Sequence, residues 1–401
     1  MRELSLTTEQ LHWLQTQFAH LRDGAEVYLD HAATTPLPVS VQQAVLQYWQ
    51  HDHANAHRGH YPRAARSTDI WEHARERAAQ FIGVNADQVA LVASTTYGLN
   101  QLAQVDIPWQ AGDEILLSEA EHHANLLPWQ RLAERYALVL KFIPLCTETG
   151  QLQFSPELLS KKTKLVSLHL KSNVTGIRPD VATILRAAKT YGAWCFLDAA
   201  QAVSDGPLRA LELGADGLVF SGHKAYGGMG AAALYLSDEL TQSLPPLVVG
   251  GGMVTQVTLA SASYTADRSR YEAGSPNVAA ALGLASGLDW LAEAQRQLPA
   301  DYLHHLHEAL VAGLVHRGFV CLPCAAPIVS AWHPQLHALD LAMMLGEQNI
   351  CVRAGSHCAQ PLLQKFQLDS VVRFSLGWSN IPADIATTLA AIDAVLALLE
   401  E

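Results

Sequence analysis

Gly217-Leu218-Val219-Phe220-Ser221-Gly222-His223-Lys224-Ala225-Tyr226-Gly227-Gly228 passes from a short apolar run into a glycine-rich loop that carries one lysine. A run of this kind, bounded by small and turn-forming residues, predicts a buried strand. A lysine on a surface loop is ordinarily just solvated. Here its neighbours are small, flexible or hydrogen-bonding, so the backbone can approach a ligand closely. Such a loop at a strand end suits an amine that must be held from bulk water and kept reactive toward a carbonyl.

The same pattern extends outward from this stretch. Apolar runs rich in β-branched residues fall at 89–92, 114–117, 138–143, 164–168 and 194–197, besides 217–220. Helix-like segments at 96–105, 125–136 and 181–191 lie between several of them. Strands alternating with helices predict an α/β fold with a mostly parallel sheet covered on both faces. Before this region, 5–21 reads as an amphipathic helix with Thr7 and Gln10 spaced as a capping box, and 40–50 and 67–82 carry helical spacing. After Pro276 a long helix is predicted to about residue 294, followed by helices at 301–317, 334–346 and 382–399 among short strands. The expectation is a large domain over 1–295 and a smaller C-terminal α+β domain over 296–401, with the first thirty or so residues able to pack on the smaller one.

A chain of 401 residues, 49% hydrophobic and 16% charged, is globular in composition. Its formal net charge of −12 argues against nucleic acid, whose partners need a basic face, and against an anionic membrane surface. Residues 1–10 carry no basic patch followed by an apolar core, so no secretory leader is read there. No apolar run reaches the roughly 18–20 residues of a membrane span. The most apolar stretch, 278–288, is interrupted by Ser286 and reads as a buried helix. Six cysteines are few for this length and fit a reducing, cytoplasmic setting better than a disulfide framework.

Asp198 ends the apolar run before Ala199-Ala200-Gln201. An aspartate at the carboxyl end of a buried strand is costly unless paired. Read alone it caps the next helix. With Lys224 following, a protonated pyridine nitrogen becomes its natural partner, and the pair points to pyridoxal 5′-phosphate (PLP) held as a Schiff base on Lys224. Ser94-Thr95-Thr96 follows another strand and opens a helix, where hydroxyls and free N–H groups suit a phosphate, although an ordinary N-cap reads the same way. His122-His123, beyond 114–117, offers an imidazole to lie on the ring.

These residues resemble the class-V aminotransferase superfamily of PLP enzymes with fold type I, and within it the group II cysteine desulfurases, which include cysteine sulfinate desulfinases and selenocysteine lyases. The resemblance runs from about Tyr28 to Asn380. Its parts stand in family order, from Tyr28-Leu29-Asp30 and Asn55-Ala56-His57-Arg58-Gly59 through Ser172-Asn173-Val174-Thr175-Gly176 and Ser221-Gly222-His223-Lys224 to Glu272-Ala273-Gly274-Ser275-Pro276-Asn277. The resemblance implies a large domain with a sheet of the seven-stranded type, a homodimer, and PLP on Lys224. It further implies Asp198 at the pyridine nitrogen, Gln201 at the phenolic oxygen, and His122 on the ring. Thr95, Thr96, Ser221 and His223 would hold the phosphate, with Ser275 joining from the other subunit. Asn173, Arg353, Arg373 and His57 would face the substrate, Arg373 as the carboxylate clamp, since a guanidinium fork matches a carboxylate with two parallel bonds. The chain departs from the family at Ala93-Ser94-Thr95-Thr96-Tyr97, which lacks an acidic dimer contact, and at Gly228-Met229-Gly230 after the lysine. Asp30-His31-Ala32-Ala33-Thr34-Thr35-Pro36 looks more like group I.

Cys358 sits in Arg353-Ala354-Gly355-Ser356-His357-Cys358-Ala359-Gln360-Pro361. A free cysteine is usually buried and inert. Here glycine and serine suggest a loop, and His357 and Arg353 would favour a thiolate. The resemblance makes Cys358 the group that takes sulfur from L-cysteine, or from cysteine sulfinate or selenocysteine, as a persulfide, leaving alanine. The freed Lys224 removes the Cα proton, and a sulfur-acceptor protein of the SufE type takes the persulfide onward. Two rival readings are another class-V enzyme (a transaminase, an epimerase or a β-eliminating lyase) without need of Cys358, and a non-enzymatic scaffold. Cys321-Leu322-Pro323-Cys324 has metal spacing but no second pair nearby, and reads as strand-and-turn thiols. No metal site is expected. His51, His53, His57 and His60 read as a loop over the substrate pocket, and His304, His305 and His307 as a solvated helix face.

Overall fold

In the computed structural model, which describes residues 6–24 and 26–398, seven strands form one sheet. Their spatial order is Val89–Val92, Ala232–Leu236, Gly217–Ser221, Trp194–Asp198, Thr163–His169, Glu114–Ser118, Val139–Ile143. The strands from Gly217–Ser221 to Val139–Ile143 pair in parallel, whereas Ala232–Leu236 runs antiparallel to both neighbours. Six of the seven are the predicted apolar runs, with ends moved by about one residue. The seventh has no such signature. Ala232-Ala233-Leu234-Tyr235-Leu236 lacks any β-branched residue and follows a glycine run.

Successive side chains on a strand point to opposite faces, and the core divides accordingly. Leu197 and Leu218 belong to one apolar cluster with the helices Pro62–Ile82 and Val278–Gln297. Phe196 and Val219 belong to the other, with Thr95–Leu102 and Leu127–Tyr136. The stretch 278–288 is indeed buried helix, and among the described residues no helix is long and apolar enough to cross a membrane.

Past the long helix, which ends just beyond residue 295, a four-stranded antiparallel sheet runs in the order Val320–Cys321, Ile328–Trp332, Val371–Ser375, Arg353–Gly355. Helices Tyr302–His316, Ala338–Gly346 and Pro382–Ala397 accompany it. Val27–Tyr28 pairs in parallel with Ile350–Cys351 of this second region, whereas Trp13 and Phe18, earlier in the chain, pack on Trp290 of the long helix.

Several elements differ from expectation. The amphipathic helix divides at Phe18 into Thr8–Gln17 and Ala19–Asp23. Its capping box forms, with Gln10 N donating to Thr7 Oγ1 at 3.2 Å and Thr7 N to Gln10 Oε1 at 3.0 Å. Residues 1–5, which include Ser5 and the first half of the stretch where no leader is expected, lie outside the described residues. The helix predicted from 67 begins at Pro62, a residue suited to the first helical turn. His307 is buried rather than solvated, because the apolar face of Tyr302–His316 turns it toward the core while His304 stays exposed.

Candidate active site

Ligands of open parallel sheets bind outside the carboxyl ends of the strands, and the chain concentrates its chemistry there. Asp198, Ser221 and His169 end their strands, while His122 and Thr95 follow the ends of two others. Together they border a cavity of about 240 Å³ that Lys224 also lines.

Lys224 closes a single 3-10 turn, Gly222–Lys224, fixed by its neighbours. His223 O accepts from Thr35 N at 2.8 Å, and Tyr226 N donates to Thr35 Oγ1 at 2.8 Å. Behind the turn, the backbone of Gly227 meets Gly283 and Gly287 of the helix Val278–Gln297 so closely that a Cβ on Gly287 would stand 2.5 Å from Ala225 O. Burial presses the Lys224 ammonium down to about 8; Asp198 opposes this, and Arg373 and Arg353 reinforce it. Near physiological pH the amine is therefore neutral far more often than an ordinary lysine, and a nucleophile toward an aldehyde must be neutral.

Asp198 has the opposite problem. Burial pushes its carboxyl up, against a hydrogen bond from Ala200 N at 2.9 Å and the charge of Lys224. A cationic ring nitrogen would relieve it. Thr95 N and Oγ1 both reach Ser221 Oγ, at 2.8 and 2.7 Å, at the start of the helix Thr95–Leu102, and Thr96 lines the same corner. His223 Nδ1 is buried without a partner. Gln201 Nε2 gives one hydrogen to Ala32 O at 2.7 Å and keeps a second for the cavity. His122 Nδ1 accepts from Ala124 N at 3.0 Å, so its proton sits on Nε2; burial, then Lys224, pulls it down to about 4. A hydroxyl-lined helix start, a neutral imidazole, an ionisable aspartate and an activated lysine fit PLP.

Arg373 and Arg353 stand opposite each other on paired strands. Arg373 Nη1 donates to Asn173 O and Nη2 to Asp30 Oδ1, both at 3.0 Å, while Nε is buried without a partner. Asn173 Nδ2 donates to His357 O at 2.8 Å. Cys358 is exposed on the cavity rim. His357 does not supply the positive charge expected of it. Its ring is buried, burial and Arg373 pull it down to about 3, and Nε2 meets Val371 O at 3.2 Å.

Two expected site residues lie elsewhere on this chain. His57 and Ser275 border a separate hollow of about 440 Å³ together with Arg58, Arg75 and Gly251. Of the other histidines read as that loop, His51 instead lies in the helical turn Tyr48–Asp52 that continues the preceding helix, and none of His51, His53 and His60 lines the cavity of Lys224. Cys321 and Cys324 are free and partly buried, and no metal-binding cluster occurs among the described residues.

Sequence reasoning passed over His169, Glu121 and Lys171. His169 pairs in register with Asp198, and its Nδ1 lies 2.9 Å from Glu121 Oε1 with both side chains buried. Burial lowers the His169 imidazole, but the Glu121 carboxylate outweighs it and holds the ring above its ordinary value. Lys171 Nζ is buried against Asp205 at 2.6 Å. The one available signal was polarity at the end of an apolar run.

Comparison with known proteins gives the family. Residues 27–387 match the family model described as aminotransferase class-V. A protein of Vibrio cholerae named "Probable cysteine desulfurase" is 37% identical over 93% of this chain and 94% of its own. The cysteine desulfurase CsdA of Escherichia coli is 34% identical over 96% of this chain and 97% of its own. Among solved structures, the apo cysteine desulfurase of Thermococcus onnurineus NA1 superposes with a TM-score of 0.91 at 31% identity, covering 96% of this chain and 97% of that one.

Proposed function

The chain belongs to the class-V aminotransferase family, and from that premise we propose that it is a PLP-dependent cysteine desulfurase that moves sulfur from L-cysteine to Cys358. The observation that carries the reading is that Lys224, Asp198, Arg373 and an exposed Cys358 border one cavity. Bound PLP supplies an electron sink for the pair left when the substrate Cα loses its proton. Asp198 keeps the ring nitrogen charged, and neutral Lys224 takes and returns the proton. Arg373, anchored by Asp30, receives the substrate carboxylate. The Cys358 thiolate attacks the substrate sulfur. The new S–S bond forms as the Cβ–S bond breaks with its electrons returning to carbon, and protonation completes alanine. One thiol and one cysteine thus give one persulfide and one alanine.

Cysteine sulfinate and selenocysteine carry better leaving groups and would depend less on Cys358. The exposure of Cys358 suits hand-over to an acceptor protein. A second copy of the chain would bring Ser275 and His57, which this copy holds in a different hollow, to the cavity.

Incubation with L-cysteine followed by mass spectrometry is expected to show one added sulfur on the peptide containing Cys358, with alanine formed in step. Cys358→Ala should lose most cysteine desulfuration, by about a hundredfold or more. Full activity in that variant would return the chain to a class-V reaction that does not need the thiol.

A further inference from the structure

The loop that carries Cys358 is held in a conformation it would not keep alone. Gly355, His357 and Cys358 have φ of 125°, 53° and 55°. For His357 and Cys358, which have a Cβ, the left-handed region is strained. Within the loop, Ala359 N donates to Ser356 O at 2.9 Å. On the strand side, Gly355 pairs with Val371 and His357 Nε2 meets Val371 O at 3.2 Å; the two strained carbonyls are held from across the cavity, one bond each. Asn173 Nδ2 donates to His357 O at 2.8 Å, and His123 N donates to Cys358 O at 2.8 Å. His123 Nε2 also accepts from Gln360 N, at a long 3.4 Å.

We propose that His123 and Asn173 latch the Cys358 loop, with His123 as a positioning residue whose backbone N–H sets the distance between the thiol and the reacting centre. His122 faces the cofactor position and His123 holds the thiol's own carbonyl, so successive residues of one 3-10 turn, His123–Asn125 with its cap His122, orient both reacting partners. A displacement of about 1 Å in such a pair costs up to a hundredfold in rate. The inference rests on Cys358 being the sulfur-accepting thiol, but the latch itself has a readout that does not.

The backbone donor can be removed without disturbing the turn. His123 is the first residue of its 3-10 turn, where proline is tolerated, and His122 has ψ of 148°, which a residue before proline adopts readily. His123→Pro removes the N–H and the ring, whereas His123→Ala removes the ring alone. In the holoenzyme, amide hydrogen exchange over residues 353–366 is expected to rise about three- to tenfold in His123→Pro and in Asn173→Asp, as the loss of one hydrogen bond allows. In His123→Ala it should stay within about twofold of the unaltered enzyme. Single-turnover sulfur acquisition by Cys358 should fall about tenfold or more in His123→Pro at unchanged cofactor affinity. Unchanged exchange in both His123→Pro and Asn173→Asp would overturn the latch. So would equal effects of His123→Ala and His123→Pro, because the backbone bond would then carry nothing. If the unaltered enzyme gains no sulfur on Cys358, the desulfurase reading fails, and the exchange measurements still decide the latch.

Discussion

Lys224 shows how a single residue acquires its chemistry from its surroundings. Burial and the two guanidinium groups of Arg373 and Arg353 push its ammonium down to about 8, against the pull of Asp198. Attachment of an aldehyde needs the neutral amine, so the group is ready above that value and blocked below it. When PLP is added to cofactor-free protein, the rate at which the visible absorption grows should climb with pH and level off above about 8. An ordinary lysine would climb to about 10.4. Arg353→Gln removes one repelling charge and should move the midpoint upward. A midpoint near 10 in the unaltered protein would mean that the amine is solvated and the burial argument wrong. Aspartate and lysine were legible in the sequence together, Asp198 closing one apolar run and Lys224 standing in the glycine-rich loop that follows another. The His169–Glu121 pair was not, since nothing in the run at 164–168 signals that the next residue turns inward toward a buried carboxylate.

At the scale of elements, six strands could be read from β-branched apolar runs, and the seventh, Ala232–Leu236, could not, having no β-branched residue. Also hidden from the sequence was the reason for the first glycine after Lys224. Gly227 admits the helix Val278–Gln297, whose own Gly283 and Gly287 bring backbone against backbone: a Cβ on Gly283 would lie 2.4 Å from Gly227 O, and one on Gly287 2.5 Å from Gly227 N. Such a contact joins residues some sixty apart, so neither stretch announces it alone. Gly287→Ala should therefore destabilise the fold by about 1–3 kcal/mol despite alanine's better helix propensity. Gly346→Ala, on the helix Ala338–Gly346 with open space around it, serves as the comparison. Equal melting temperatures in the two variants would show that the lysine loop is not pressed on the helix.

At the scale of the whole molecule, His57 and Ser275 were expected at the site and lie apart from it on one chain, and our proposal is that a second copy delivers them. On one chain they border the hollow of about 440 Å³. Nearby, the hairpin of Val254–Val257 and Ala262–Tyr264 exposes Val257, and Leu259 stands wholly exposed at its turn. Exposed apolar groups beside an unfilled polar hollow fit contact with a second copy. If the copies exchange these residues, two damaged chains can repair each other. Lys224→Ala abolishes its own cofactor attachment but keeps an intact Ser275 to donate. Ser275→Ala keeps its lysine but offers its partner a phosphate site lacking one hydroxyl, and alone should bind PLP about tenfold more weakly. In a mixed dimer, one site then combines the intact lysine of one chain with the intact serine of the other. Co-expression of the two variants should yield a population that binds PLP with unaltered affinity at up to one site per mixed dimer. If the mixture instead titrates as the simple sum of the two variants, each chain completes its own site and the exchange does not occur.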